Sequence, residues 1–181
     1  MDRIQKIKED PFYKECLTLN GDRERDRLFC RHDFQHMLEV SQISYNMIAG
    51  TGSLDEFAAK EGLPGVTGAS EVIFAAGLLH DIGRWRQYDT GEDHALAGAV
   101  MARPVLERAG FQKEEIKAIT SAIGDHRRAG PGSSFLGRVL CLADDLSRPC
   151  GTCNVRLDCY KYEYMETIRE RSRHGSLPDV G

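Results

Sequence analysis

Apolar residues in this chain return every three to four positions, and the period-two alternation of a half-buried strand is nearly absent, so the sequence predicts an all-α protein, a compact helical bundle. The stripe His36, Val40, Ile43 and Met47 (i, i+4, i+7, i+11) predicts a helix over 31–49 that stops near Gly50-Thr51-Gly52. A short helix and a Gly/Pro loop follow over 54–68. The next helix, 69–81, is apolar nearly all round and hence central, with Gly83 as its stop. Another is expected over 92–109, with Pro104 kinking it or starting a second segment and Gly110 ending it. Ile116, Ile119, Ile123 and His126 define a helix over 113–127. Ser133-Ser134 offers an N-cap for one over 135–147, and a last helix over 155–170 leads to a mobile tail at 172–181. With no repeat or low-complexity linker, the chain reads as a helical lead-in (1–30), one core (31–148) and a cysteine-bearing helical segment (149–171).

Several function classes drop out on composition. The 24 Lys+Arg against 28 Asp+Glu give a formal net charge of −4, which offers no electrostatic basis for a nucleic-acid polymer or an anionic membrane as partner. The N-terminus alternates charges where a signal peptide needs an apolar core, so a cytoplasmic location is expected. The most apolar run, Val72 to Leu79, is far short of the roughly 20 residues of a membrane span. The Gly62-to-Gly68 stretch lacks the Lys-Ser/Thr ending of a phosphate-binding loop.

Against the helical pattern, polar residues stand where apolar ones belong. His36 and His126 occupy inward positions of their helices. The spacing Leu136, Leu140, Asp144 turns Asp144 toward the core while Asp145 is rotated about 100° away. His80-Asp81 closes the most apolar helix. Singly, an inward histidine is more often a hydrogen-bonded core residue than a ligand. Several imidazoles and carboxylates buried together are costly unless a cation compensates them, and that donor set suits divalent transition metals. His32-Asp33 repeats the dipeptide but begins an amphipathic helix, where it can serve the helix dipole, and His32 is retained as an outer residue of the site.

These motifs resemble the HD superfamily of metal-dependent phosphohydrolases, all-helical proteins with a His, a His-Asp pair and a distant Asp. The matching residues are His36 in Phe34-Gln35-His36-Met37-Leu38-Glu39-Val40, His80 and Asp81 in Leu78-Leu79-His80-Asp81-Ile82-Gly83-Arg84, and Asp144 in Leu142-Ala143-Asp144-Asp145-Leu146. Members with two metals use further histidines, and His94 and His126 fall where the resemblance places them. It then implies that Asp81 bridges the ions, with His36, His80 and Asp144 on one side and His94 and His126 on the other. A single-ion site remains the alternative. The resemblance leaves the metal open among Fe, Mn, Co, Ni, Mg and Zn.

Such a site implies hydrolysis of a phosphomonoester or phosphoanhydride of a nucleotide or similar small metabolite by metal-activated water, with His80 and Asp81 at the chemistry. Arg84, and Arg127 or Arg128, can contact phosphate oxygens. Glu39, Asp33 and Asp125 are candidate proton carriers. The alternatives are di-iron oxygen chemistry on the same six ligands, or a nucleotide- or redox-sensing binding protein that turns nothing over. The oligomeric state is left open.

Six cysteines are too few for a disulfide scaffold. Cys150, Cys153 and Cys159 form a Cys-x2-Cys-x5-Cys run that suggests a structural zinc or an iron–sulfur cluster, with Cys30 as preferred fourth ligand and Cys141 and Cys16 as substitutes. Cys30 lies six residues before His36 and Cys150 six after Asp144, so if those ligands meet, the cysteines meet nearby. Free thiols or a Cys150–Cys153 redox pair are the competing readings. Similar cysteine-bearing segments in a subset of bacterial HD proteins imply a bacterial origin.

Overall fold

Most helix boundaries in the computed structural model, which describes residues 2–127 and 130–173, have a local chemical cause. Helix α1 (Asp2–Glu9) ends at Asp10, whose carboxylate caps α2 (Pro11–Arg23) by accepting from the backbone N–H of Phe12 and Tyr13. Asp33 caps α3 (Phe34–Gly50) through the His36 N–H. Left-handed glycines end α4 (Leu54–Glu61) at Gly62, α6 (Arg84–Thr90) at Gly91 and α7 (His94–Ala109) at Gly110. Between them, α5 runs Gly65–Leu79. A capping box at Gln112 and Glu115 starts α8 (Lys113–Asp125), and Ser134 caps α9 (Phe135–Leu146). Two 3₁₀ turns, Cys150–Thr152 and Arg156–Asp158, precede α10 (Tyr162–Arg173). The described residues contain no strand, as the apolar period predicts.

The central helix is α5, which packs on α3, α4, α8, α9 and α1 and buries Val72, Ile73, Ala75, Ala76, Leu78 and Leu79. Its closest neighbour is α3: a Cβ on Gly77 would lie 2.5 Å from Ser41 Cα, so only glycine admits this approach. Ser41 Oγ donates to Met37 O and to Phe74 O, stitching the two helices at the same level. Gly83 serves α7 in the same way, since a Cβ there would lie 2.6 Å from Gly98 N and 2.7 Å from His94 O. These two approaches bring His36, His80 and His94 within reach of one another.

The structure corrects several expected boundaries. Helix α5 begins at Gly65 rather than 69 and hands over at His80, while Gly83 caps the next helix; the short, polar α6 carries no apolar stripe. Pro104 sits inside an unbroken α7. On α3 the deepest positions are His36, Met37, Val40, Ser41, Ser44 and Ile48, with Ile43 and Met47 only partly buried. The expected helix over 155–170 is a 3₁₀ turn followed by α10. Asp145 is buried, not turned to solvent, because the chain beyond α9 folds back and sets Lys161 3.6 Å from its Oδ1. The tail from His174 and the candidate Arg128 lie outside the described residues.

The N-terminal helices belong to the core. Tyr13 donates to Leu78 O, and Arg3 pairs with both Glu71 and Glu115. The Asn20 amide donates to Asp81 O and accepts from Trp85 N–H, fixing both ends of the turn that carries the His-Asp pair. No single described helix is long and apolar enough to cross a membrane.

Candidate metal centre

Five imidazoles form an arc around the Asp81 carboxylate. Successive ring centroids from His32 through His36, His80 and His126 to His94 lie 5.5, 5.2, 5.1 and 5.2 Å apart. All five rings and Asp81 are buried. Nε2 of His80, His32 and His36 lies 3.4, 3.7 and 4.0 Å from Asp81 Oδ2, and Nε2 of His94 and His126 lies 3.1 and 3.7 Å from Oδ1. Asp81 thus turns one oxygen to each half of the arc.

Hydrogen bonds set the tautomers. His80 Nδ1–H donates to Gly77 O at 2.8 Å and His126 Nδ1–H to Ile123 O at 2.7 Å, both carbonyls that can only accept. His94 Nδ1 donates to Gln87 Oε1 and His32 Nδ1 to the Glu24 carboxylate. The Ser147 hydroxyl spends its proton on Asp144 O and so accepts from His36 Nδ1 at 3.2 Å. Every ring therefore turns its Nε2 toward the Asp81 carboxylate, with Arg84 Nη1 also 3.2 Å from His94 Nε2 and Arg148 Nη1 3.4 Å from His32 Nε2. Nε2 of His36, Nε2 of His80 and Oδ1 of Asp81 are buried without a hydrogen-bond partner. Imidazoles and carboxylates converging in a dry interior form a donor set that a divalent cation can compensate. Two sets of donor atoms, His36, His80 and Asp81, and Asp81, His94 and His126, lie within 4.8 Å of one another, so each can hold an ion.

Charge follows the same logic. Burial alone would raise the Asp81 pKa, but the charges of His80 and His32 hold it well below the ordinary carboxylate value, and Asp81 in turn raises the His80 pKa against its burial. Burial drives His94 down to about 3 against the pull of Asp81, which favours the neutral ring a metal requires.

Asp144 stands beside the arc rather than in either tight set. Its Oδ1 lies 3.1 Å from His36 Nε2 and 3.9 Å from His80 Nε2, and Arg148 pairs with the same oxygen. Arg84 lies against the His94 ring, its Nη1 3.1 Å from Nδ1. Arg127 is held by Asp93 at the edge. The candidate proton carriers are engaged elsewhere: Asp33 caps α3, Asp125 accepts from Ser134, and Glu39 accepts from Gln35 on the surface. Sequence reasoning missed Glu24, Gln87, Asn20 and Ser147, and set His32 outside the arc it joins. The i, i+4 spacing of His32 and His36 was the available signal for the last.

The centre opens into a cavity of about 450 Å³ whose walls include Arg27, Arg84, Arg127, Arg148, Lys161 and Tyr160. Cys30, Cys150 and Cys159 line the same cavity.

A helical bundle holding a His, a His-Asp pair and a distant Asp about one buried point defines a class, and the comparison with known families agrees: the HD domain model matches residues 33–148. The chain belongs to the HD domain family, within the superfamily of metal-dependent phosphohydrolases. An "Uncharacterized protein" from Clostridium beijerinckii is 30% identical over 159 residues, 88% of this chain and 92% of that protein. Ribonuclease Y from Oleidesulfovibrio alaskensis is 31% identical over 135 residues, and that from a Sulfurovum species 26% over 137. Each of these two matches spans only 22% of the ribonuclease. No solved structure matches the chain significantly.

Proposed function

We propose that the protein hydrolyses a phosphate ester or anhydride of a small phosphorylated metabolite, a nucleotide being the favoured class, with one or two divalent ions held by His36, His80, Asp81, His94, His126 and Asp144. The observation that carries this reading is the histidine arc around Asp81 opening into a cavity walled by cationic side chains. A bound divalent ion supplies a water of lowered pKa and positive charge for phosphoryl oxygens. The chain supplies the rest. Asp81, buried and anionic, would hold an ion together with either half of the arc. Arg84 and Arg148 face the cavity with guanidinium groups suited to phosphate oxygens. Tyr160, exposed at the rim, and half-exposed Tyr164 present ring faces on which a nucleobase can stack.

Similarity to the two ribonucleases makes a phosphodiester the competing substrate, to be set beside monoesters in the same assay. The test is hydrolysis of a panel of nucleoside mono-, di- and triphosphates and of a short oligoribonucleotide by protein loaded with Mn²⁺ or Fe²⁺. Metal-dependent release of phosphate or nucleoside from small substrates, abolished by Asp81→Asn, supports the reading. Cleavage confined to the oligoribonucleotide, or no turnover with metal bound, refutes it.

A further inference from the structure

We propose that Cys30, Cys150, Cys153 and Cys159 form a tetrathiolate site for one thiophilic divalent cation of the zinc class, clamping the segment before α3 to the end of α9. The proposal is independent of the phosphohydrolase reading.

Topology brings three of the four to one cavity, which Cys141 also lines. Cys30 lies in the link between α2 and α3, two residues before His32, and Cys150 lies two residues after Arg148. Cys30, Cys150 and Cys159 face one cavity although about 120 residues separate the first from the others in sequence. Cys150 opens the 3₁₀ turn Cys150–Thr152, closed by the Cys153 N–H on Cys150 O at 3.2 Å. Side chains three apart in such a turn eclipse, which places both thiols on one side, as a chelating pair requires. The Cys159 N–H closes the second turn on Arg156 O at 3.2 Å. Burial raises the Cys150 thiol pKa.

The surroundings fit an anionic occupant. Binding M²⁺ converts four thiols to thiolates, releases four protons to solvent and leaves a complex of net charge −2. Guanidinium groups are in place to offset it: Arg27 donates to Cys30 O at 2.8 Å, and Arg169 reaches over the Cys150–Cys153 turn to Arg148 O. Among the described residues the sulfurs do not form a set within 4.8 Å of one another. Loading therefore requires the thiols to close to metal–sulfur distances of about 2.3 Å. Both sit at the ends of single 3₁₀ turns, the backbone easiest to shift.

The test is a Co²⁺ titration of the full chain, reduced and free of oxygen, followed by absorption. The proposal expects sulfur-to-cobalt charge transfer and intense tetrahedral d–d bands whose final intensity corresponds to one thiolate-bound Co²⁺ per chain, further Co²⁺ entering the His/Asp centre without charge transfer. They survive in His126→Ala, Cys16→Ser and Cys141→Ser and disappear in Cys153→Ser and Cys159→Ser. Absence of charge transfer in the wild-type chain overturns it, and this reading requires no variant to fold. Iron with acid-labile sulfide in the purified protein, or a Cys150–Cys153 disulfide that forms despite saturating Zn²⁺, also overturns it.

Discussion

Replacing Gly77 with alanine tests whether the metal centre depends on the contact of α3 with α5. The added methyl would sit 2.5 Å from Ser41 Cα and Oγ and 2.7 Å from Ser41 N, where carbon contacts relax to about 3.5–4.0 Å, so the helices must part by about 1 Å. Overpacking against backbone costs about 3 kcal/mol, and alanine's better helix propensity returns about 1 kcal/mol, leaving a net loss of about 2 kcal/mol. For a chain of this size that lowers Tm by about 4–8 °C. Because His36 rides on α3 and His80 follows α5, the same displacement weakens metal binding. Gly21→Ala provides the control: it lies in α2 with nothing within 4 Å of its added methyl, so the substitution raises Tm by about 1–4 °C. Thermal melting by circular dichroism of both variants, metal-free and loaded, reads the two signs. A Gly77→Ala protein melting at or above wild type, with unchanged metal affinity, refutes the reasoning.

Other predictions follow from single residues. Asn20→Ala strips the partners from Asp81 O and Trp85 N–H and costs about 2–3 kcal/mol, read as a lower denaturant midpoint at unchanged m-value; a midpoint shift equivalent to under about 0.5 kcal/mol would contradict it. Glu24 is buried, yet its hydrogen bond with His32 outweighs burial and lowers its pKa from the ordinary 4.5 to about 2. A depressed carboxylate contributes stability that is complete above about pH 4.5 and lost as pH falls toward 2, so Glu24→Gln should flatten the acid limb of the wild-type stability curve, and an unchanged limb counts against the pairing. Arg84→Ala should raise KM for a phosphorylated substrate by about tenfold or more, whereas Arg127→Ala, already paired with Asp93 at the edge, should change it about twofold or less, as steady-state kinetics will show.

The chain's periodicity makes the helices legible, and their phases place His36, His126 and His80-Asp81 correctly at the core. What escapes the sequence depends on distant partners. Glu24 and Asn20 read as ordinary polar residues until α2 lies along the His-Asp turn. Asp145 carries a solvent-facing phase on α9 and is buried only because the chain beyond the 3₁₀ turns returns over it. Helix α6 is set by Gly83, whose missing side chain admits α7, and by Gly91, not by an apolar stripe of its own. His32 shows how local logic misleads: two residues before a helix it resembles a dipole partner, yet Glu24 turns it onto Asp81.

The most direct test of the central account is metal content per chain, by elemental mass spectrometry, in wild type and Asp81→Asn purified side by side without chelators or oxygen. The account predicts that wild type carries one or two more equivalents of divalent metal than the variant, since Asp81 supplies an oxygen to both donor sets. Equal metal content in two equally folded proteins would contradict it.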